Sequence, residues 1–173
     1  MKQQEQQRQR QNKSTVTLPN DRDVVVVRTF RAPRSLVFDA WTIPRLVQRW
    51  LLGPPGWTMP VCEMDVRVGG QFKWRWRSAE NGAEFGFSGE FREVVRPSRL
   101  VHVERYDPGE VGGEMGEALV TSVLTEKDGM TTHTMTIRYA SKEVRDAALK
   151  TGMTDGMEMS YQKLDALLAE TAG

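Results

Sequence analysis

Hydrophobic and polar positions alternate with a period of two along much of this chain. In Phe72-Lys73-Trp74-Arg75-Trp76-Arg77 every second residue is a ring and the residues between are cations. That is the pattern of a strand with one buried and one wet face. Phe85, Phe87 and Phe91 continue the alternation in a strand reaching about Val95, after a turn at Asn81-Gly82. Gly89 between them marks a bulge or a close backbone approach. Asp23–Phe30 reads as a strand through its run of four valines, and Trp57–Val68 as another, closed by Gly69-Gly70. Pro97-Ser98 turns the chain into a strand over Arg99–Tyr106, and the Gly-rich, acidic Asp107–Gly116 is predicted to be a loop. A last hairpin joins Ala118–Glu126 to Thr131–Tyr139 around Lys127-Asp128-Gly129.

Three segments show helical spacing instead. Pro33 suits the first turn of a helix over Arg34–Trp41, where Val37, Phe38 and Trp41 form one apolar face. Pro44 starts a second short helix, Arg45–Leu52, which stops at Gly53-Pro54-Pro55-Gly56. Ser141 can cap a long terminal helix, Lys142–Ala169, with Leu149, Met153, Gly156, Met157, Ser160, Leu164 and Leu167 on one stripe. Gly152 and Gly156 would each cost that helix about 0.8–1 kcal/mol relative to Ala, and they thin the side chains on or near the stripe. The order is strand, two short helices, six antiparallel strands and one long helix. The simplest burial lays the helix stripe on the apolar sheet face, which makes an α+β layer pair.

Composition narrows the class. The 173 residues suggest one domain, and 24 Lys plus Arg against 23 Asp plus Glu leave a net charge of +1. That balance argues against a strongly basic nucleic-acid binder. Residues 1–20 form a Gln-rich tail with little to bury, read as disordered, followed by a domain over 21–173. Met1–Asn12 has no apolar stretch behind it, and apolar runs such as Val24–Val27 fall far short of the ~20 residues that cross a bilayer. A cytoplasmic location is the default expectation. Cys62 is the single cysteine, which excludes an internal disulfide.

The ordered set of signals resembles the START-like helix-grip superfamily (SRPBCC), and within it the family named after the activator of the heat-shock-protein-90 ATPase. The likeness covers about Asp23–Glu170. It rests on Arg28-Thr29-Phe30-Arg31-Ala32-Pro33, Val37-Phe38-Asp39-Ala40-Trp41-Thr42, Pro44, Trp50 and Gly53-Pro54-Pro55-Gly56-Trp57. Asp65-Val66-Arg67-Val68-Gly69-Gly70, Gly82, Gly89 and Pro97-Ser98-Arg99-Leu100 complete it. The resemblance implies a curved antiparallel sheet of about six to seven strands wrapped around the C-terminal helix, with an apolar cavity between them. It also implies a link to stress response and a chaperone partner, for which Trp57 in the Pro/Gly loop would be the exposed anchor. Relatives often carry Trp where this chain has Met153, and a second aromatic where it has Leu51 and Leu52.

The chemistry open to these residues follows. Phe72, Trp74, Trp76, Phe85, Phe87 and Phe91, faced by Met153 and Met157, read either as core filler or as the wall of a pocket for a small hydrophobic or aromatic molecule. His102, Glu104 and Tyr106 alternate along one strand. They read either as a wet strand face or as an acid–base group of the cyclase or dehydratase type. His133 reads as core or strand edge. No metal-ligand spacing, nucleophile elbow or phosphate-binding glycine loop is present, so no metal or cofactor is expected. Lys73, Arg75 and Arg77 fall opposite the rings, which separates charge from stacking surface and argues against nucleic acid. A homodimer through the sheet edges is a further expectation.

Overall fold

The structure, a computed structural model, describes residues 1–4, 12–108 and 116–171. Its strands are β1 (Thr15–Thr17), β2 (Asp23–Phe30), β3 (Trp57–Met64), β4 (Gln71–Ser78), β5 (Glu84–Val95), β6 (Arg99–Asp107), β7 (Glu117–Lys127) and β8 (Met130–Arg138). They form one curved antiparallel sheet in the order β1-β2-β8-β7-β6-β5-β4-β3. Two helices, α1 (Arg34–Thr42) and α2 (Pro44–Trp50), connect β2 to β3, and α3 (Lys142–Lys150) and α4 (Met153–Thr171) end the chain. The architecture is α+β, as the spacing predicts, and of the helix-grip kind that the resemblance implies.

Two differences from the sequence reading have physical causes. The sheet has eight strands because Thr15–Thr17 pairs with Val25–Val27 inside the stretch read as a disordered tail. A three-residue polar edge strand has no hydrophobic period of its own. It is held by β2 and by Ser14, whose backbone N–H and Oγ both donate to Glu158 on α4. The ordered chain therefore begins before residue 21; residues 5–11 of that stretch lie outside the described residues, as does 109–115 of the predicted Gly-rich loop.

The second difference is in the terminal helix, which is two helices rather than one. Ser141 caps α3 as expected, its Oγ accepting from the Val144 N–H at 3.2 Å. Gly152 then takes φ +79° and breaks the run. Only a residue without Cβ enters this left-handed region without penalty. Gly89, by contrast, meets its prediction. A Cβ there would lie 1.7 Å from the Val103 carbonyl oxygen, and the β5–β6 register shifts just beyond, between Phe91 and Glu93.

Packing divides α4 into two halves. Its C-terminal half buries Tyr161, Leu164, Leu167 and Leu168 in an aromatic core. There Trp41 meets Trp50 edge-on at 4.7 Å and His133 at 5.0 Å, and Phe30 meets Tyr161 at 5.6 Å. His133 is thus core, as its alternation with Met135 and Ile137 suggested. Burial alone pushes its pKa down to about 4, so the imidazole is neutral.

One buried charge anchors the helix. Arg28 shares the inward face of β2 with Val24, Val26 and Phe30 and is only 1% exposed. Its Nε donates to Glu158 at 3.1 Å and its Nη2 to Asp165 at 2.8 Å, both on α4. Burial opposes ionisation of both carboxyls. Glu158 still ends below its ordinary range, because it accepts from Arg28 and twice from Ser14. Asp165, with fewer donors, is held above it.

Candidate functional site

The N-terminal half of α4 covers a hollow. A cavity of about 520 Å³ lies between this half, the concave face of β4–β8 and the Leu51–Pro54 loop. Its volume falls in the range of about 300–1,000 Å³ typical of small-molecule sites. The space survives because of which residues α4 presents. Met153 and Met157 line it, and a Cβ built on Gly156 would touch nothing within 4 Å. The opposite wall is ring-bearing. Trp76 stacks on Phe85 at 5.1 Å, and Phe87 lies 5.9 Å from Trp76 and 5.3 Å from Tyr106.

The cavity mouth is fastened to the helix. Ser160 Oγ accepts from the Gly53 N–H at 2.8 Å, and Lys163 Nζ donates to the Gly53 carbonyl at 2.7 Å. Trp76 Nε1 donates to the Leu51 carbonyl at 2.6 Å. Leu51 and Leu52 therefore face inward on a loop tied at both ends.

Of the eight expected pocket residues, Trp74, Trp76, Phe85, Phe87, Met153 and Met157 line the cavity. Phe72 and Phe91 do not. They share the face but sit further along their strands, where they pack at 5.5 Å from each other and against the His102 ring. They pack behind two lining residues, Trp74 and His102. Lys73 and Arg77 are exposed on the other face, as period two requires.

The wet-face reading of His102, Glu104 and Tyr106 is overturned, since all three line the cavity. The imidazole side chain is 5% exposed and the Glu104 carboxylate 16%, with His102 Nε2 lying 3.1 Å from Glu104 Oε2. A carboxylate only accepts, so Nε2 donates, and in the neutral ring Nδ1 is left as the acceptor. Nδ1 is buried and has no hydrogen-bond partner among the described residues. Glu104, not His102, therefore offers its oxygen to the hollow. Neighbours in register explain the room around it: Glu104 pairs with Gly89 on one side and Ala118 on the other. Tyr106 and Tyr139 are also part of the lining. Burial raises both phenol pKa values above the ordinary range, and both hydroxyls stay protonated. Tyr139 donates to Met153 Sδ at 3.2 Å.

Sequence reasoning missed part of this wall. Val120, Met135, Ile137 and Tyr139 line the cavity from β7, β8 and the residue after it. Period two along Met135–Ile137–Tyr139 carried that signal. Trp57, read as an exposed anchor, instead lines the cavity edge-on to Phe85 at 5.3 Å. Among the described residues no group of three His, Cys, Asp or Glu side chains is placed to hold a metal ion, and no helix is long and apolar enough to cross a membrane.

The family model described as Activator of Hsp90 ATPase homolog 1-like protein matches residues 31–169. The chain belongs to this family. A crystallised Rhodobacter sphaeroides protein is 32% identical, with a TM-score of 0.83 over 92% of this chain and 99% of that one. A Mycobacterium smegmatis protein shares the fold at 24% identity, with a TM-score of 0.79 over 91% of this chain and 99% of that one. An Activator-like family member from Aeromonas hydrophila does so at 21% identity and a TM-score of 0.66, over 83% and 93% of the two chains. The comparison with curated proteins found no match.

Proposed function

We propose that this family member binds a small hydrophobic or aromatic molecule in the cavity beneath α4. The observation that carries the reading is the hollow itself, about 520 Å³ with an aromatic wall, set into the buried hydrophobic core. An unfilled apolar space forfeits contact energy, so a sequence that places Gly156 against open space gives up stability that function can explain. A ligand bound at 100 times its Kd would stabilise the fold by about 2.7 kcal/mol. The test is fluorescence enhancement of the neutral probe N-phenyl-1-naphthylamine, together with a thermal shift. Saturable binding that Gly156→Trp abolishes supports the reading, and no enhancement with the native protein overturns it.

A second reading concerns catalysis, favoured by the cavity-facing His102–Glu104 pair. Glu104 would take a proton from carbon next to a carbonyl, with His102 Nε2–H holding the carboxylate and Tyr106 donating to the developing enolate oxygen. Deuterium exchange into the methyl group of 1-acetonaphthone, followed by NMR, measures this step. Exchange lost in Glu104→Gln supports it, and exchange no faster than buffer refutes it. The chaperone reading now rests on the family name alone, because Trp57 is turned into the cavity wall; an ATPase assay with the chaperone tests it.

A further inference from the structure

The cavity's charge pattern narrows its occupant. Among the described residues that line it, Glu104 is the single Asp, Glu, Lys or Arg. His102 engages Oε2, and among the described residues no hydrogen bond reaches Oε1. Trp76, Phe85, Phe87 and Tyr106 line the same cavity as one connected wall of rings, with neighbouring centroids 5.1–6.1 Å apart. A ring face is an electron-rich surface that attracts cations. Among the described residues no Lys or Arg side chain lines the cavity. Tyr139, which lines the same cavity, has its phenol pKa raised by burial first and by the Glu104 charge second. An anionic ligand head would meet repulsion from Glu104, with no Lys or Arg among the described lining residues to offset it.

We propose that the cavity selects a hydrophobic organic cation, an aromatic or alkyl amine in its ammonium form, over the matching carboxylic acid. Glu104 is the counter-ion, and the aromatic wall of Trp76, Phe85, Phe87 and Tyr106 adds cation–π attraction. This deepens the binding function proposed above and rests on it. It also separates two kinds of guest that an apolar cavity alone would treat alike, since fatty-acid-like and amine-bearing molecules bury similar carbon frames.

Three naphthalene ligands of nearly equal size test the assignment: 2-(1-naphthyl)ethylamine, 2-(1-naphthyl)ethanol and 1-naphthylacetate. Each competes with N-phenyl-1-naphthylamine at pH 7.5. The amine is expected to bind at least about 10-fold more tightly than the acid, with the alcohol between them. Glu104→Gln should bring the amine down to the alcohol while leaving the alcohol unchanged. Phe87→Leu should weaken the amine more than the alcohol, and it keeps the test open should Glu104→Gln fold poorly. Equal binding of all three, or preference for the acid, overturns the charge selection while leaving the hydrophobic cavity standing. Failure of the neutral probe itself to bind removes the cavity reading and this inference with it.

Discussion

Two glycines four residues apart should respond to the same substitution with opposite signs. Gly152 sits at φ +79° in the turn between α3 and α4, where a Cβ meets no neighbour but the backbone conformation opposes it. Gly152→Ala should cost about 1–2 kcal/mol, the penalty of a left-handed L-residue. Gly156 lies in α4 with ordinary helical backbone, and its Cβ would project into open space. Gly156→Ala therefore removes the helix penalty of glycine with no clash and should stabilise by up to about 1 kcal/mol. Gly156→Leu adds apolar burial within the cavity, and a fully buried Leu contributes roughly 1.5–3 kcal/mol. It should be more stable than Gly156→Ala while binding the naphthylamine probe more weakly. For a chain of this size each kcal/mol moves Tm by roughly 2–4 °C. Calorimetry or urea melts at pH 7.5 read all three variants. If Gly156→Leu destabilises the protein, the space beside Gly156 is not free, and the account of the cavity fails. If Gly152→Ala is neutral, the helix break is not a backbone requirement.

Arg28 is held by Glu158 and Asp165, so Arg28→Leu leaves two carboxylates without their cation and should cost at least about 2 kcal/mol in urea melts. Adding Glu158→Gln and Asp165→Asn should recover much of that loss; a triple variant no better than Arg28→Leu would show that the guanidinium acts by packing instead. His133 is fully buried, with its pKa lowered to about 4. The unfolded chain binds its proton near pH 6.5, so stability present above that pH is lost progressively as pH falls from 6.5 toward 4. The total is about 3 kcal/mol, and His133→Gln should flatten that part of the stability–pH curve. Cys62 has its pKa raised to about 11 by burial. Alkylation by iodoacetamide at pH 7.5 should therefore be much slower than for free cysteine, and labelling at the free-thiol rate would contradict its burial.

Much of the site was legible because a strand's side-chain period is independent of what it packs against. Alternation from Phe72 to Phe87 placed Trp74, Trp76, Phe85 and Phe87 on the concave face before any partner was known. The same rule put His102, Glu104 and Tyr106 on one face, but strand parity is silent on which of the two faces is wet. That choice depends on the neighbouring strands. His102 stands in register with Phe91 and Val120, both buried, and this carries it inward with Glu104 and Tyr106. The exclusion of Phe72 and Phe91 from the wall was equally invisible, since it depends on how far along the curved sheet the helix breaks contact.

The sequence by itself determined the element types, their order and the faces they bury, because turn chemistry and hydrophobic period are local properties of the chain. It also supplied the means of keeping a hollow, in the small and flexible residues of α4. Only the tertiary structure decided where Gly152 ends one helix and starts the next, how the polar strand β1 is held, and that Arg28 is buried with two acids. It alone brought Glu104 to an aromatic cavity with no other charged side chain among its described lining residues. Those outcomes depend on contacts between residues far apart in the chain, and no window of sequence contains both partners.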